Sequence, residues 1–398
     1  MLLLVRRRRA ATHAAALLAA VLCACRPATV ATTPAGAPAA VAPGVRLVAH
    51  AQIPTGTTFA ALDVGGLSGL AYDRVADLFY AVVDDPTTHP PPRLLRFRWH
   101  PPAAPELVDW LALSDENGPL PTAGADLEGV ARRVDGELFV SSEGDLKKSI
   151  APWVGEFDAA GRLRRRLPLP GAFVLGDGRG AAHNQGFEAL TLDPAGNLVL
   201  AGVEGPLLQD QPPPAGELAR VRLLGWDPRT TSHPQEWLYP IDPQHAAPTV
   251  KEKFGVAGLV DLLPVSAANS PLAGDEPLLA LERSYVDGVG FAVKLFAATL
   301  ASADEVSGVD AVAGRAVRTA VKRRLAEFAS LGVPIANYEA MAWGPPGEDG
   351  WPLLIVISDN NFNAPEGTNL AAFALTAGRL SVGGRASPSS PSSPRRRR

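Results

Sequence analysis

One unit is written five times in this chain, and that repetition constrains the fold more than any other feature. Each copy opens on a short apolar run, crosses a turn and closes on a second β-rich run ending in an acid. The copies span residues 67–85, 126–143, 186–204, 255–282 (with a longer middle) and 337–359. Their anchor positions, Ser68, Glu128, Glu188, Gly258 and Glu339, lie 60, 60, 70 and 81 residues apart. Repetition at such periods marks an architecture built of stacked units. Asp135-Gly136, Ala195-Gly196-Asn197 and Pro345-Pro346-Gly347 supply hairpin turns inside the copies.

Two more candidate strands follow each of the first three copies: residues 94–99 and 106–111, 153–157 and 163–167, and 219–226 and 236–241. Four antiparallel strands per repeat make a propeller blade. The reading is therefore an all-β fold, a β-propeller of about five four-stranded blades. Six is the alternative, because the 81-residue fourth repeat has room for one more. Residues 317–328 read equally as a basic amphipathic helix or a strand. A pair of β-sandwiches is the other all-β solution. The fifth copy has a third strand near 369–375 and lacks a fourth, which residues 46–53 can supply. Pairing the two chain ends closes the ring and removes its exposed edges.

In such a blade the start of strand one and the end of strand two emerge on the same face. Both places are polar: Ser68 with Asp84 and Asp85, Glu128 with Glu143, Glu188 with Glu204, and Glu339 with Asp359. Gly258 stands at the opening place of the fourth copy, which closes on Glu282. Closure gathers these groups at one mouth of the central channel. Several carboxylates in one mouth raise each other's pKa, and a hard cation is the usual compensation. An oxygen-only set points to Ca²⁺, with Mg²⁺ or Mn²⁺ behind it. The metal candidates are Glu128, Glu188, Glu339, Asp359, Glu143, Glu204 and Glu282. Glu188, Glu339, His183 and Arg283 are the catalytic candidates, with His183 as a general base or a ligand. Arg283, Asn360 and Asn184 are placed to hold substrate, and Lys147 and Lys148 can meet an anionic group. Each acid also has a structural reading, since Glu before Gly or Ala can tie neighbouring backbone amides together.

The ends of the chain read as an address and a tail. Arg6 to Arg9 precede a short apolar run over residues 14–24, the pattern of a secretory signal. That run ends in Leu22-Cys23-Ala24-Cys25, which resembles a bacterial lipobox with Cys25 lipidated. The domain reading is a signal peptide over 1–24, an Ala/Pro/Thr-rich linker over 25–44, a propeller over 45–380 and a Ser/Pro/Arg tail over 381–398. The expected location is the bacterial cell envelope, lipid-anchored, in the periplasm or outer membrane. Both cysteines fall in the signal region, so the body has no disulfide, thiolate site or cysteine nucleophile. The formal charge is −4, and Arg6 to Arg9 and Arg395 to Arg398 supply eight of the 37 lysines and arginines. The body is therefore acidic, which excludes a nucleic-acid partner. A monomer acting on a small molecule is expected. There is no G-x-S-x-G elbow, P-loop, dinucleotide fingerprint or H-E-x-x-H helix. Metal-activated water is then the attacker to expect in a hydrolase.

Five stretches carry a family resemblance: LSGLAYDRVADLFYAVVDD, DLEGVARRVDGELFVSSEG, NQGFEALTLDPAGNLVLAGVEGPL, LLALERSY and NYEAMAWGP with LLIVISDNNF. They span residues 67–363, in order, and resemble the phytase-like family described as "esterase-like activity of phytase". The resemblance implies a secreted propeller with phosphoester or ester hydrolase activity. The chain departs from the family pattern at Gly258, where an acid is usual, with Asp261 three residues on. Its mouth is also acidic, which disfavours phytate unless cations bridge the phosphates. A non-catalytic ligand- or protein-binding envelope propeller is the alternative. By analogy of architecture alone, a lactonase-type hydrolase is a third.

Overall fold

The apolar runs that open and close each repeat carry no polar alternation, because both faces of these strands are covered. In the computed structural model the strands Leu78–Val83, Leu138–Ser142 and Val199–Val203 are buried at every residue. Two outer strands alternate instead: Leu163–Arg166 exposes Arg164 and Arg166, and Val45–Pro54 is exposed at every second residue over most of its length. A strand buried on two faces reads as a continuous apolar run, and an edge strand reads with period two. The structure describes residues 44–85, 91–213, 216–250, 254–272, 276–363 and 366–376. Cys25, the signal and linker segments and the basic tail lie outside them.

Five four-stranded antiparallel sheets form a five-bladed β-propeller. Blade 1 runs Leu67–Asp73, Leu78–Val83, Arg93–Arg98 and Glu106–Ala112. Blade 2 runs Leu127–Arg132, Leu138–Ser142, Trp153–Phe157 and Leu163–Arg166. Blade 3 runs Phe187–Leu192, Val199–Val203, Ala219–Trp226 and Gln235–Ile241. Blade 4 runs Gly255–Pro264, Leu278–Val286, Gly290–Thr299 and Val321–Glu327. Blade 5 takes Asn337–Pro346, Pro352–Asp359 and Gly367–Leu375 from the C-terminal part and Val45–Pro54 as its outer strand. That last pairing runs from Val45 opposite Leu375 to Pro54 opposite Gly367, so the ring closes as the repeats imply. The inner strands of neighbouring blades touch all the way round, blade 5 returning to blade 1.

Among the described residues there is no sixth blade. The extra length of the fourth repeat lies in long strands and in the crossing segment 300–320. The ambiguous stretch 317–328 contains the strand Val321–Glu327. The crossing segment packs Val306 and Val312 on Leu238 of blade 3. It is pinned by Arg222, which is fully buried and bonds Asp210 and Glu236 at 2.8 Å and the carbonyls of Val309 and Asp310.

Candidate functional site

The inner strand of every blade slips register at the same place. The shifts fall between Leu67 and Gly69, Leu127 and Val130, Phe187 and Ala189, Leu259 and Asp261, and Tyr338 and Ala340. A bulge leaves a residue unpaired and re-aims its side chain. The residues at these bulges are Ser68, Glu128, Glu188, Val260 and Glu339. The small residue that follows the acid or serine has its own reason. A Cβ on Gly69 would stand 2.3 Å from the carbonyl oxygen of Glu128, so only glycine lets those inner strands approach.

The second strands set the other half of the site. The amides of Asp84, Glu143 and Glu204 donate to the carbonyls of Gly66, Asp126 and Gly186. In the same register Arg283 lies opposite Gly258, and Asp359 opposite Asn337. The closing position of blade 4 therefore belongs to Arg283, not Glu282. The opening position belongs to Val260, two residues past Gly258. Both corrections come from strand geometry, since a shift of one residue sends a side chain to the other face of the sheet. Glu282 is turned away from the channel mouth. It accepts from Tyr239 Oη at 2.8 Å and the Asp242 amide at 2.9 Å, and pairs with Lys322. Gly258 is glycine because a Cβ there would lie 2.3 Å from Glu204 Cγ.

At the mouth of the channel these positions line an open cup of about 470 Å³. The carboxylates in and beside it fall into two groups of three, with oxygens within 4.8 Å of one another: Asp84, Asp126 and Glu128, and Glu143, Glu188 and Glu204, of which Asp126 and Glu143 face a neighbouring side cavity. Glu339 and Asp359 complete the wall from blade 5. Arg283 stands among them, 2.8 Å from Glu339 Oε1 and 3.3 Å from Glu204 Oε1. Ser68 donates to Glu128 and, at 3.5 Å, faces Glu339. Glu143 takes the Gly186 amide on Oε1, while its Oε2 is buried without a protein partner, as is Asp84 Oδ1.

The electrostatics follow from burial. Removal from water first, and neighbouring carboxylates second, push Asp84, Glu128, Glu143 and Glu188 well above the ordinary carboxylate range. Burial also raises Glu204 and Glu339, although Arg283 opposes it at both. Asp359 is pushed up to about 8, by burial and then by Glu339. Burial pulls Arg283 down, but Glu204, Glu339, Glu188 and Glu128 together more than reverse this and hold it charged. One guanidinium among eight carboxyl groups leaves the cup short of positive charge, so protons or cations must supply the rest.

Of the residues expected at the mouth, Glu128, Glu188, Glu204, Glu339, Asp359, Arg283, His183 and Asn184 line the cup. His183 and Asn184 are exposed on its rim and also face a side cavity of about 360 Å³, shared with Glu143, Lys147 and Lys148. Asn360 does not reach the cup. It is fully buried, accepts from the Gly66 and Phe362 amides at 3.0 and 3.1 Å, and donates to Thr55, tying blade 5 to the entry of blade 1. Its neighbour Asn361 lines the cup instead. Asp261 is a structural tie in the channel, taking the amides of Met341 and Leu262 at 2.6 and 2.8 Å. The sequence reading passed over Asp126 as a ligand, although it opens the second copy. It also passed over Phe254, Tyr285 and Phe291, which form one side of the cup.

A family model described as "Phytase-like: Esterase-like activity of phytase" matches residues 62–362. No curated protein matches the chain. Among solved structures, the major Malassezia sympodialis allergen Mala s 1 is 12% identical, with 81% of this chain and 82% of that one covered at a TM-score of 0.37. A member of the duf4221 family from Bacteroides vulgatus is 10% identical, with 84% and 99% covered at a TM-score of 0.38.

Proposed function

The chain belongs to the phytase-like family, and from that premise we propose that its acidic cup hydrolyses a phosphoester or ester with the help of a divalent cation. The observation that supports this is the pair of carboxylate triads, four of whose six members line the open cup while Asp126 and Glu143 line the side cavity beside it. The donor set fits a hard cation. It is all oxygen, and Glu143 Oε2 and Asp84 Oδ1 are buried acceptors without a protein donor. Ca²⁺ suits such a set best, ahead of Mg²⁺ and Mn²⁺. Glu143, Glu188 and Glu204 would hold one ion; Glu128 with Asp84 and Asp126 is the adjoining set, with Glu339 and Asp359 beside them. When bound, such an ion polarises the ester oxygen and acidifies a water.

The chain's own groups have separate tasks. Arg283 is held by Glu339 and lines the cup, where its guanidinium can orient an anionic ester oxygen. Glu188, buried beside Glu143 and Glu204, is placed to take a proton from the attacking water. His183, exposed on the rim, can pass that proton to solvent. Asn184 adds a polar rim contact to substrate.

Thermal unfolding with EDTA and with added Ca²⁺ tests the site, because a ligand of the native state raises the midpoint. Turnover of p-nitrophenyl phosphate and p-nitrophenyl acetate with Ca²⁺ tests the activity. A Ca²⁺-dependent rise with Ca²⁺-dependent turnover is expected. No rise with any divalent ion and no turnover would overturn the reading. A rise without turnover would favour a binding propeller of the envelope. The same proposal includes lipid anchoring at Cys25 in the bacterial envelope, with the propeller acting as a monomer. A Cys25→Ala variant is expected to leave the membrane fraction, and continued sedimentation with membranes would refute the anchor.

A further inference from the structure

Blade 4 is built differently from the other four at the mouth of the cup. In blades 1 to 3 the second strand stops one residue before the closing acid, at Val83, Ser142 and Val203. In blade 5 it stops at Asp359. In blade 4 the strand Leu278–Val286 runs three residues past Arg283, and Gly290–Thr299 returns beside it. The blade therefore rises above the cup as a β-wall.

The face of this wall that looks into the cup is apolar. Residues two apart on a strand share a face, so Tyr285 stands above Arg283. Across the strands Tyr285 pairs with Val256 on one side and Phe291 on the other. The Tyr285 ring lies 4.9 Å from that of Phe291 and 6.3 Å from that of Phe254. Phe254 is 57% exposed, and all four residues line the cup. The opposite side is carboxylate. Arg283 is the only lysine or arginine among the described residues lining the cup. Among the described residues this wall offers no cation to an inositol-type polyphosphate, whereas a flat apolar group meets three rings.

We propose that the wall of Phe254, Tyr285 and Phe291 is a specificity subsite for the aryl group of an ester whose anionic head lies at Arg283 and the carboxylate triads. The assignment rests on the hydrolase reading for the head group and adds the class of substrate: a monoester with an aromatic group. An aryl ring stacked on such rings gains about ten-fold in affinity over a methyl group in the same place.

The test uses the whole protein with Ca²⁺ and two non-hydrolysable probes, phenylphosphonate and methylphosphonate, titrated by calorimetry. Phenylphosphonate is expected to bind about ten-fold more tightly than methylphosphonate. Phe254→Ala, at an exposed position, is expected to shrink that ratio several-fold, and Tyr285→Ser to abolish it. Equal affinity in the wild type, no binding of phenylphosphonate, or an undiminished ratio in both variants would each overturn the subsite. Turnover of p-nitrophenyl phosphate and p-nitrophenyl acetate is followed on the same samples. Wall-dependent aryl preference without turnover would refute hydrolysis and leave the subsite standing. Turnover without aryl preference would refute the subsite alone.

Discussion

Replacing Asp359 with asparagine should stabilise the metal-free protein, and the gain should grow with pH. Asp359 is 3% exposed, and burial with the nearby Glu339 holds its pKa at about 8. In the unfolded chain the same carboxyl ionises near pH 4. The folded state therefore binds more protons between these two values, and stability falls as pH rises through that window. Below it the carboxyl is protonated in both states and costs nothing. Asparagine keeps the oxygen that accepts the Asn361 amide at 2.8 Å and does not titrate. Each pH unit inside the window is worth about 1.4 kcal/mol, so the variant's advantage should widen by roughly 3 kcal/mol between about pH 5 and 7.5. Urea unfolding in EDTA at four pH values measures it. A difference between the two proteins that stays flat across that range would refute the assignment of a buried, protonated Asp359.

Three further outcomes follow from the same contacts. Glu188→Gln should leave the fold intact in EDTA but lose the Ca²⁺-induced rise in Tm, which at about a hundred times Kd corresponds to roughly 2.7 kcal/mol; a Ca²⁺ response equal to wild type would count against the deep triad. Arg222→Met strands Asp210 and Glu236 in the interior and should cost about 3–5 kcal/mol in urea unfolding, with early proteolysis in the segment 300–320; a loss below about 1 kcal/mol would show that the network does not hold that segment. Asp261→Ala frees the buried amides of Met341 and Leu262 and should cost about 3 kcal/mol or more, with faster hydrogen exchange at Met341; unchanged exchange there would refute the tie between blades 4 and 5.

Much of the architecture was legible before any coordinates. The five copies map onto five blades, and residues 46–53 fall within the strand Val45–Pro54 that closes the ring. Residues 153–157 and 219–226 are strands with the expected bounds, and the others begin or end within a residue or two. This works because a strand covered on both faces must be apolar throughout, while its turns must be Gly- or Asp-rich. The fourth repeat resisted the same logic. Its added length is spread between raised strands and a crossing segment, and length alone does not distinguish these from a blade.

The site was legible as a set of acids and illegible as a geometry. Spacing alone brought Glu128, Glu188, Glu204, Glu339 and Asp359 toward one mouth. It misassigned Glu282, because the residue opposite Gly258 on the second strand of blade 4 is Arg283, one residue later. It missed Asp126, which lies near Asp84 only because blades 1 and 2 pack side by side. It missed Phe254, Tyr285 and Phe291, because aromatic residues at alternate positions look like ordinary core. The repeat, the blade and the closure are written in the order of residues, since they depend on local periodicity and turn chemistry. Which side chains share the cup is settled by folding, since it depends on a one-residue register and on neighbours some sixty residues apart in the chain.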